Sequence, residues 1–319
     1  MTESDWPKPL VPVQGPFSGP RLAGAAAGMG DAGPATCELA AAGFVPPDLI
    51  TGMTLFLLAR QKRQATASPT KATEDGGERS SGTPITGGVW VREQFVIHRP
   101  LATSDAFTVT GESTGRYVRK GRRYGTTRSV TTGEDGTAVA TNLTTGLLSY
   151  HVEPGAEDEV IGLPLAETPG PDPDHGAAAD NPHLTALRAA TVGQVLGGAA
   201  VTVSLAMMAD RDTSNPDNAI HSDPEQAKKA GLERPIAGGS HVLSFALEPM
   251  LATFGLHALN HGTHFDVRWR APTHCDVVIT PTVMVTAAEA DRLVLDLTVT
   301  LADGPAAMVG TVTIPLAVR

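Results

Sequence analysis

The residues best suited to chemistry lie in the stretch that leads from His221 to a pair of glycines. His221 follows a run rich in Asn, Pro and Asp, which is typical of an irregular loop, and a loop can aim an imidazole at a substrate. Further along, Gly238 and Gly239 precede an apolar stretch that is predicted to be a helix. Glycines at a helix start let a substrate carbonyl oxygen approach backbone N–H groups. The pattern therefore predicts an acid–base group beside an anion-stabilising site.

This stretch resembles the signature of the MaoC-like (R)-specific enoyl-CoA hydratases, a family with the hotdog fold. The family pattern runs Gly-Asp-x-Asn-Pro-Ile-His-x-Asp-Pro, followed by Ala-Gly and then by Pro-Ile-x-x-Gly. The sequence matches it at Asn218, Ile220, His221, Asp223, Pro224, Ala230, Gly231, Pro235, Ile236 and Gly239. It departs from the pattern at the catalytic aspartate of the family, which is Pro216 here, and the nearest carboxylate is Asp217, one position later.

The resemblance implies a lyase that hydrates a trans-2-enoyl-CoA with (R) specificity, or that dehydrates a 3-hydroxyacyl thioester, in fatty acid metabolism. In the family an Asp and a His share the reacting water, and a backbone N–H at the helix start holds the enolate oxygen. Carried over, His221 is the acid–base residue and Gly239 the oxyanion donor, while Gly238 and Ser240 line the substrate site. The alternative for the glycine pair is that it only permits tight helix packing.

The loop before His221 leaves two interpretations open. Either it is remodelled so that Asp217 takes the role of the missing aspartate, or His221 works without that carboxylate, since Pro216 fixes its own backbone angle. Asn218 either hydrogen-bonds the loop backbone or orients the reacting water. Asp223, which is followed by a proline, is predicted to cap a helix rather than to act in catalysis.

A degenerate internal repeat predicts the fold. The segment Ala42–Met53 echoes Ala230–Ser240, and each is followed by an apolar helix, Thr54–Arg60 in one half and His241–Phe254 in the other. Alternating strands come next, most clearly over Leu293–Leu301. Because a helix followed by antiparallel strands is the order of a hotdog domain, we predict an α+β double hotdog: two repeats, each an antiparallel sheet wrapped around a central helix.

The predicted domains are an N-terminal degenerate repeat over residues 1–151, a linker over 152–185 rich in Pro, Gly and Asp, and a C-terminal repeat over 186–319 that carries the motif. A polar stretch, Ala65–Gly88, is predicted to be a mobile surface loop. The first repeat has no counterpart of His221. The resemblance implies that it widens the acyl tunnel for a bulky or long chain, with the helix Leu49–Leu58 lining that tunnel.

The composition and charge of the chain limit the kinds of partner that the protein is expected to bind. A net charge of -10 argues against a nucleic-acid partner, and the one strongly basic run, Arg116–Tyr124, is predicted to be a solvated hairpin turn, with contact to CoA phosphates as the alternative. The two cysteines and the histidines lack metal-ligand spacing, so no metal or cofactor is expected. The N-terminus is acidic, and we expect no apolar run that is long enough to span a membrane. Together these features predict a cytoplasmic protein without a membrane partner.

The expected partner is therefore an acyl-CoA or acyl-carrier-protein thioester, bound by a homodimer. Two other functions remain open at this point. One is a hotdog acyl-thioesterase, which would use a water-activating group near the same helix start. The other is a catalytically silent acyl-binding or partner subunit, which the proline at position 216 favours.

Overall fold

The structure is a computed structural model. It describes residues 6–17, 19–54, 57–58, 89–148, 152, 155, 157–162, 184–212, 216–302 and 304–316, with the backbone alone at 161–162 and 216–218. The predicted loop Ala65–Gly88, most of the predicted linker and part of the predicted helix Thr54–Arg60 lie outside the described residues.

The helices of the described residues are α1 Gly19–Ala27, α2 Pro34–Ala41, α3 Pro47–Thr51, α4 Leu184–Ala189, α5 Leu205–Arg211, α6 Pro224–Lys229 and α7 Gly239–Leu259. Short 3-10 helices cover Gly30–Ala32 and Pro216–His221. The strands are β1 Lys8–Pro9, β2 Val13–Gln14, β3 Val89–Ile97, β4 Phe107–Arg119, β5 Arg122–Gly133, β6 Ala138–Leu147, β7 Glu159–Gly162, β8 Val195–Gly197, β9 Val201–Val203, β10 Thr263–Trp269, β11 Val277–Ala288, β12 Arg292–Leu301 and β13 Ala306–Pro315.

Within the described residues the strands form one antiparallel sheet of 13 strands, as the double hotdog prediction requires. Its main path runs β1-β4-β5-β6-β3-β10-β13-β12-β11-β8, so that β3 and β10 join the two repeats at the centre. The strand orders on the two sides of this junction mirror each other. Phe95 and Phe265 pair there in register, and their rings stack with centroids 4.3 Å apart.

The helices of both repeats pack on the same face of the sheet, which confirms the predicted arrangement. Phe95 belongs to the hydrophobic core around α7, and Asn142, its partner across the β3–β6 ladder, donates from Nδ2 to the backbone oxygen of Thr51 in α3 at 3.0 Å. Helix α7 is apolar nearly all round because the curved sheet and the neighbouring helices surround it.

Helix α7 also corrects one expectation drawn from the sequence. By length and composition Gly239–Leu259 could cross a membrane, so an apolar run of that length does exist. The helix is 78% buried inside the protein over its apolar window, which is what a core helix requires. It is broken at Gly255, whose φ of 72° lies in the left-handed region, so its last residues leave the axis of the first part.

The register of the internal repeat differs from the sequence alignment. The isolated bridge Phe44–Ala102 in the first repeat corresponds to the bridge Ile236–His274 in the second. Gly43 and Gly231, which the sequence pattern matches, both follow a helix and have φ of 85° and 84°. After them the match shifts, because Phe44 corresponds to Ile236 and not to Leu232. The two repeats go out of register here because the second repeat has more residues between helix α6 and its bridge than the first has between helix α2 and its bridge.

The predicted linker is partly ordered into the sheet. Glu159–Gly162 forms strand β7, which pairs with the edge strand β4 from Gly115 to Val118. On the same strand, the predicted hairpin turn is present: Lys120 and Gly121 connect β4 to β5, with φ of 51° and 69°. Two consecutive positive φ values define the tight turn that matches the twist of the flanking strands.

Candidate active site

The loop that carries His221 is anchored by a small hydrophobic cluster. Pro216–His221 is a 3-10 helix, and Ile220 at its end packs with Ala227, Leu232 and Ile236. Helix α6 follows at once, with Asp223 accepting from the N–H groups of the second and third residues of the helix at 2.8 and 3.2 Å. The predicted capping role of Asp223 is therefore confirmed. The cap holds the start of α6 two residues after His221.

The ring of His221 is held by one strong hydrogen bond. Its Nδ1 lies 2.6 Å from the backbone oxygen of Ile236, and because a carbonyl oxygen can only accept, Nδ1 carries the hydrogen. Burial lowers the pKa of His221, and the bond to Ile236 opposes that shift. Since the pKa falls below its ordinary value, the imidazole is neutral at pH 7, with an unprotonated Nε2 that can take a proton.

The Nε2 edge of His221 faces Gly238. A Cβ placed on Gly238 would lie 3.8 Å from both Nε2 and Cε1 of the ring, which is ordinary van der Waals contact. Gly238 is the N-cap of α7, and its backbone oxygen accepts from the N–H of His241 at 3.0 Å. The N–H groups of Gly239 and Ser240, at the first two helical positions, have no partner within the helix. The imidazole and the positive end of α7 thus lie side by side.

Gly239 lies in close packing, which is the alternative that the sequence left open for the glycine pair. A Cβ on Gly239 would lie 2.8 Å from Cε3 of Trp90 and 3.2 Å from Cε2 of Trp269. Trp269 also donates from Nε1 to the backbone oxygen of Gly239 at 3.2 Å, and the two indole rings are 5.4 Å apart. The missing Cβ therefore leaves room for two tryptophans, and the N–H of Gly239 lies at the helix start.

The remaining predicted site residues are less fully placed. Asp217 and Asn218 lie on the 3-10 helix just before His221, but their side chains are outside the described part of the chain. Ser240 is half-buried at the second position of α7. The structure thus brings His221, Gly238, Gly239 and Ser240 to one place, at the start of the central helix.

A second histidine behind the site was missed by the sequence analysis. His241 is 1% exposed and donates from Nε2 to the backbone oxygen of Gly28, in the first repeat, at 2.7 Å. Burial, followed by the positive charge of Arg211, lowers the pKa of His241 to about 3. His241 is therefore neutral at pH 7, and its hydrogen bond to Gly28 links the two repeats. A histidine in an apolar helix gives no sequence signal for this role.

Asp212 is a further group that the sequence did not single out. It follows α5 a short distance before the loop of His221, and burial raises the pKa of its carboxyl to about 7, while Arg211 opposes the shift. Among the described residues, no group of three or more His, Cys, Asp or Glu side chains is arranged to hold a metal ion.

Comparison with solved structures identifies the fold. The chain superposes on a MaoC-like dehydratase with a TM-score of 0.65 and 19% identity, over 95% of this chain and 97% of that one. It is similar to HtdX from Mycobacterium tuberculosis, with a TM-score of 0.60 and 17% identity over 95% and 98% of the two chains. A second protein of that organism, described as having a double hotdog fold, matches at 0.57 and 17% over 99% and 98%.

No protein-family model matches the sequence, and no curated protein matches it either. At identities below one fifth, the structural matches establish architecture and not activity. The chain is a double hotdog protein, and the predicted fold is confirmed. Its structural neighbours include MaoC-like dehydratases, the group that the loop of His221 resembles.

Proposed function

We propose that the protein is a MaoC-like lyase that adds water to a trans-2-enoyl thioester, or removes it from a 3-hydroxyacyl thioester. One observation carries the proposal: the unprotonated Nε2 of His221 faces Gly238 at the start of α7, beside N–H groups without an intrahelical partner. Hydration of an enoyl thioester needs a proton acceptor and an oxyanion site close together, and this arrangement provides both.

In the proposed reaction the thioester oxygen accepts a hydrogen bond from the N–H of Gly239, which stabilises the enolate that forms as water adds. The water oxygen bonds to C3 while one of its protons passes to Nε2 of His221. The imidazolium then returns that proton to C2, so that one molecule of water is added and His221 is regenerated. The bond from Nδ1 to Ile236 keeps the ring oriented through both transfers.

The role of Asp217 stays a prediction. If its carboxylate shares the water, it orients the oxygen for attack at C3, as the aspartate of the resembled family does. If it faces away, His221 and the helix start carry the reaction alone. Asn218, Gly238 and Ser240 complete the proposed substrate site around the acyl thioester. The homodimer, the cytoplasmic location and the choice between CoA and carrier protein belong to the same proposal.

The test is to incubate the protein with crotonyl-CoA and to follow loss of the enoyl absorbance and release of free thiol in parallel. Loss of absorbance without thiol, abolished in His221→Ala, supports the lyase. Thiol release that depends on His221 would identify a thioesterase. Binding of acyl-CoA with neither signal would identify an acyl-binding subunit and would overturn the proposed activity.

A further inference from the structure

The interiors of the two repeats differ in chemistry, although their folds correspond. On β12 the inward side chains are Leu293, Leu295, Leu297 and Val299, all buried. At the matching place in the first repeat, the inward side chains of β5 are Thr127, Ser129 and Thr131, also buried. The second interior is aliphatic, as a hydrophobic core requires, whereas the first presents hydroxyl groups to its central helix.

Several buried polar groups of the first interior form hydrogen bonds. Thr54, in the helical segment that follows α3, lies 2.7 Å from the hydroxyl of Ser129. Asn142 donates from Nδ2 both to the backbone oxygen of Thr51 and to Oε1 of Glu93, each at 3.0 Å. These bonds place the carboxyl of Glu93 between the sheet and the helix, inside the first repeat.

Two polar groups in this interior have no hydrogen-bond partner among the described residues. They are Oε2 of Glu93, a residue that is 0% exposed, and Nε1 of Trp90. Burial raises the pKa of Glu93 to about 8, against the opposing bonds from Asn142 and Thr144, so the carboxyl is protonated at pH 7. A neutral carboxyl and an indole each offer a donor, and leaving a buried donor unpaired costs about 1–3 kcal/mol.

Trp90 connects this interior to the candidate active site. Its ring packs against Gly239, and Glu93 lies on the same strand, opposite Val267 of β10. Trp90 and Glu93 therefore lie on one strand that leads from the start of α7 into this interior. The family resemblance implied only a wider tunnel in this repeat, and an apolar chain would bury both donors without satisfying either.

We infer that the first repeat accepts an acyl chain carrying a hydroxyl or carbonyl oxygen, and that Trp90 and Glu93 donate hydrogen bonds to that oxygen. The inference rests on the proposed function for the place of the thioester, and it adds the class of acyl group. Ser129, whose hydroxyl already has a partner, belongs to the wall of the same interior and not to the group that selects the substrate.

The experiment compares trans-2-enoyl-CoA thioesters of equal chain length that end in a methyl group, a hydroxyl group or a ketone. We expect the wild type to prefer an oxygenated chain by at least about tenfold in kcat/KM, since one satisfied donor is worth about that factor. The hydroxyl and ketone arms distinguish which oxygen is bound. Glu93→Leu should remove the preference, Glu93→Gln should retain most of it because the amide still donates, and the control Ser129→Ala should change all rates alike.

Binding of the saturated acyl-CoA analogues, measured by calorimetry, separates this inference from the proposed function. The wild type could hydrate no substrate and still bind the oxygenated analogue more tightly than the methyl one. That result would contradict the proposed lyase activity and support the inference about the acyl group. Equal kcat/KM values for the methyl and oxygenated chains, or a preference that survives in Glu93→Leu, would overturn the inference. Binding of none of the analogues would overturn both.

Discussion

Arg211 of the second repeat and Asp48 of the first form an ion pair that is sealed in the protein interior. The Arg211 side chain is 7% exposed and that of Asp48 1%. Arg21 lies in the same cluster, and burial, together with the neighbouring Arg211, lowers its pKa to about 9, although Asp48 opposes that shift. Asp48 thus forms an ion pair with Arg211 and also acts on Arg21, at a point where the repeats meet.

This cluster predicts that Asp48→Asn is strongly destabilising. The variant leaves the buried guanidinium of Arg211 without its ion-pair partner, which costs about 3–5 kcal/mol in the free energy of unfolding. Urea unfolding at pH 7 measures the cost, and the double variant Asp48→Asn with Arg211→Met should recover part of it. The control is Glu225→Gln, which breaks an exposed pair with Lys228 and should leave the urea midpoint unchanged. A midpoint for Asp48→Asn like that of the control would contradict the prediction.

The two glycines at the start of α7 should respond differently to the same small substitution. Gly239→Ala should destabilise the fold because its Cβ would stand 2.8 Å from the Trp90 ring. Gly238→Ala should fold normally, since its φ of −62° and ψ of 148° suit alanine and its Cβ meets His221 at 3.8 Å. We expect its turnover to fall, because the new methyl group lies between the imidazole and the substrate.

Thermal unfolding and the crotonyl-CoA assay, run on both alanine variants, check this pair of outcomes. A Gly238→Ala protein with the wild-type kcat/KM would show that the face of Gly238 is not used by the substrate. A Gly239→Ala protein with the wild-type melting temperature would show that the indoles can move aside.

Sequence reasoning reached the fold and the helix cap beside His221 for a physical reason. Hydrophobic alternation, as on Leu293–Leu301, is imposed by the sheet itself, and the cap at Asp223 is imposed by the helix end. Contacts between distant residues leave no such local pattern. The pairing of Trp90 with Gly239 and that of His241 with Gly28 join residues far apart in the chain, so only the folded structure reveals them.

The pH dependence of hydration should report the state of His221. Its unprotonated Nε2 is the proposed proton acceptor, and burial lowers its pKa below 6.5. We therefore expect kcat/KM to be constant through neutral pH and to fall only as the pH drops below 6.5, when the imidazole becomes protonated. Asp212→Asn is the control, because the pKa of Asp212 is about 7 and its protonation could produce a similar fall in kcat/KM at low pH. If the fall disappears in Asp212→Asn, it belongs to that carboxyl and not to His221.

Glu93 should make the protein less stable as the pH rises. Its pKa in the folded protein is about 8, compared with an ordinary value of 4.5, so the folded state binds more protons between these values. The free energy of unfolding therefore falls as the pH rises through that window. Glu93→Gln, which is neutral at every pH, should be more stable than the wild type by roughly 3 kcal/mol at pH 7 and about equal to it near pH 4. Urea unfolding of both proteins at each pH measures the difference.

That comparison also removes the contribution of the buried histidines. His221 and His241 have lowered pKa values, so they destabilise the folded state as the pH falls below 6.5, in the opposite direction to Glu93. Because both proteins retain these histidines, they cancel in the difference between Glu93→Gln and the wild type. A difference that does not change with pH would show that Glu93 is ionised in the folded protein.

The last prediction concerns the carboxylate that the loop before His221 lacks. With Pro216 at the position of the family aspartate, Asp217 is one residue out of register, and we expect its carboxylate to contribute little. His221→Ala should cost about a hundred- to ten-thousand-fold in kcat/KM, the usual cost of losing a positioned acid–base group, while Asp217→Asn should stay close to the wild type. An Asp217→Asn loss comparable to that of His221→Ala would instead place this carboxylate on the reacting water. Unchanged hydration in His221→Ala would remove the loop from the mechanism altogether.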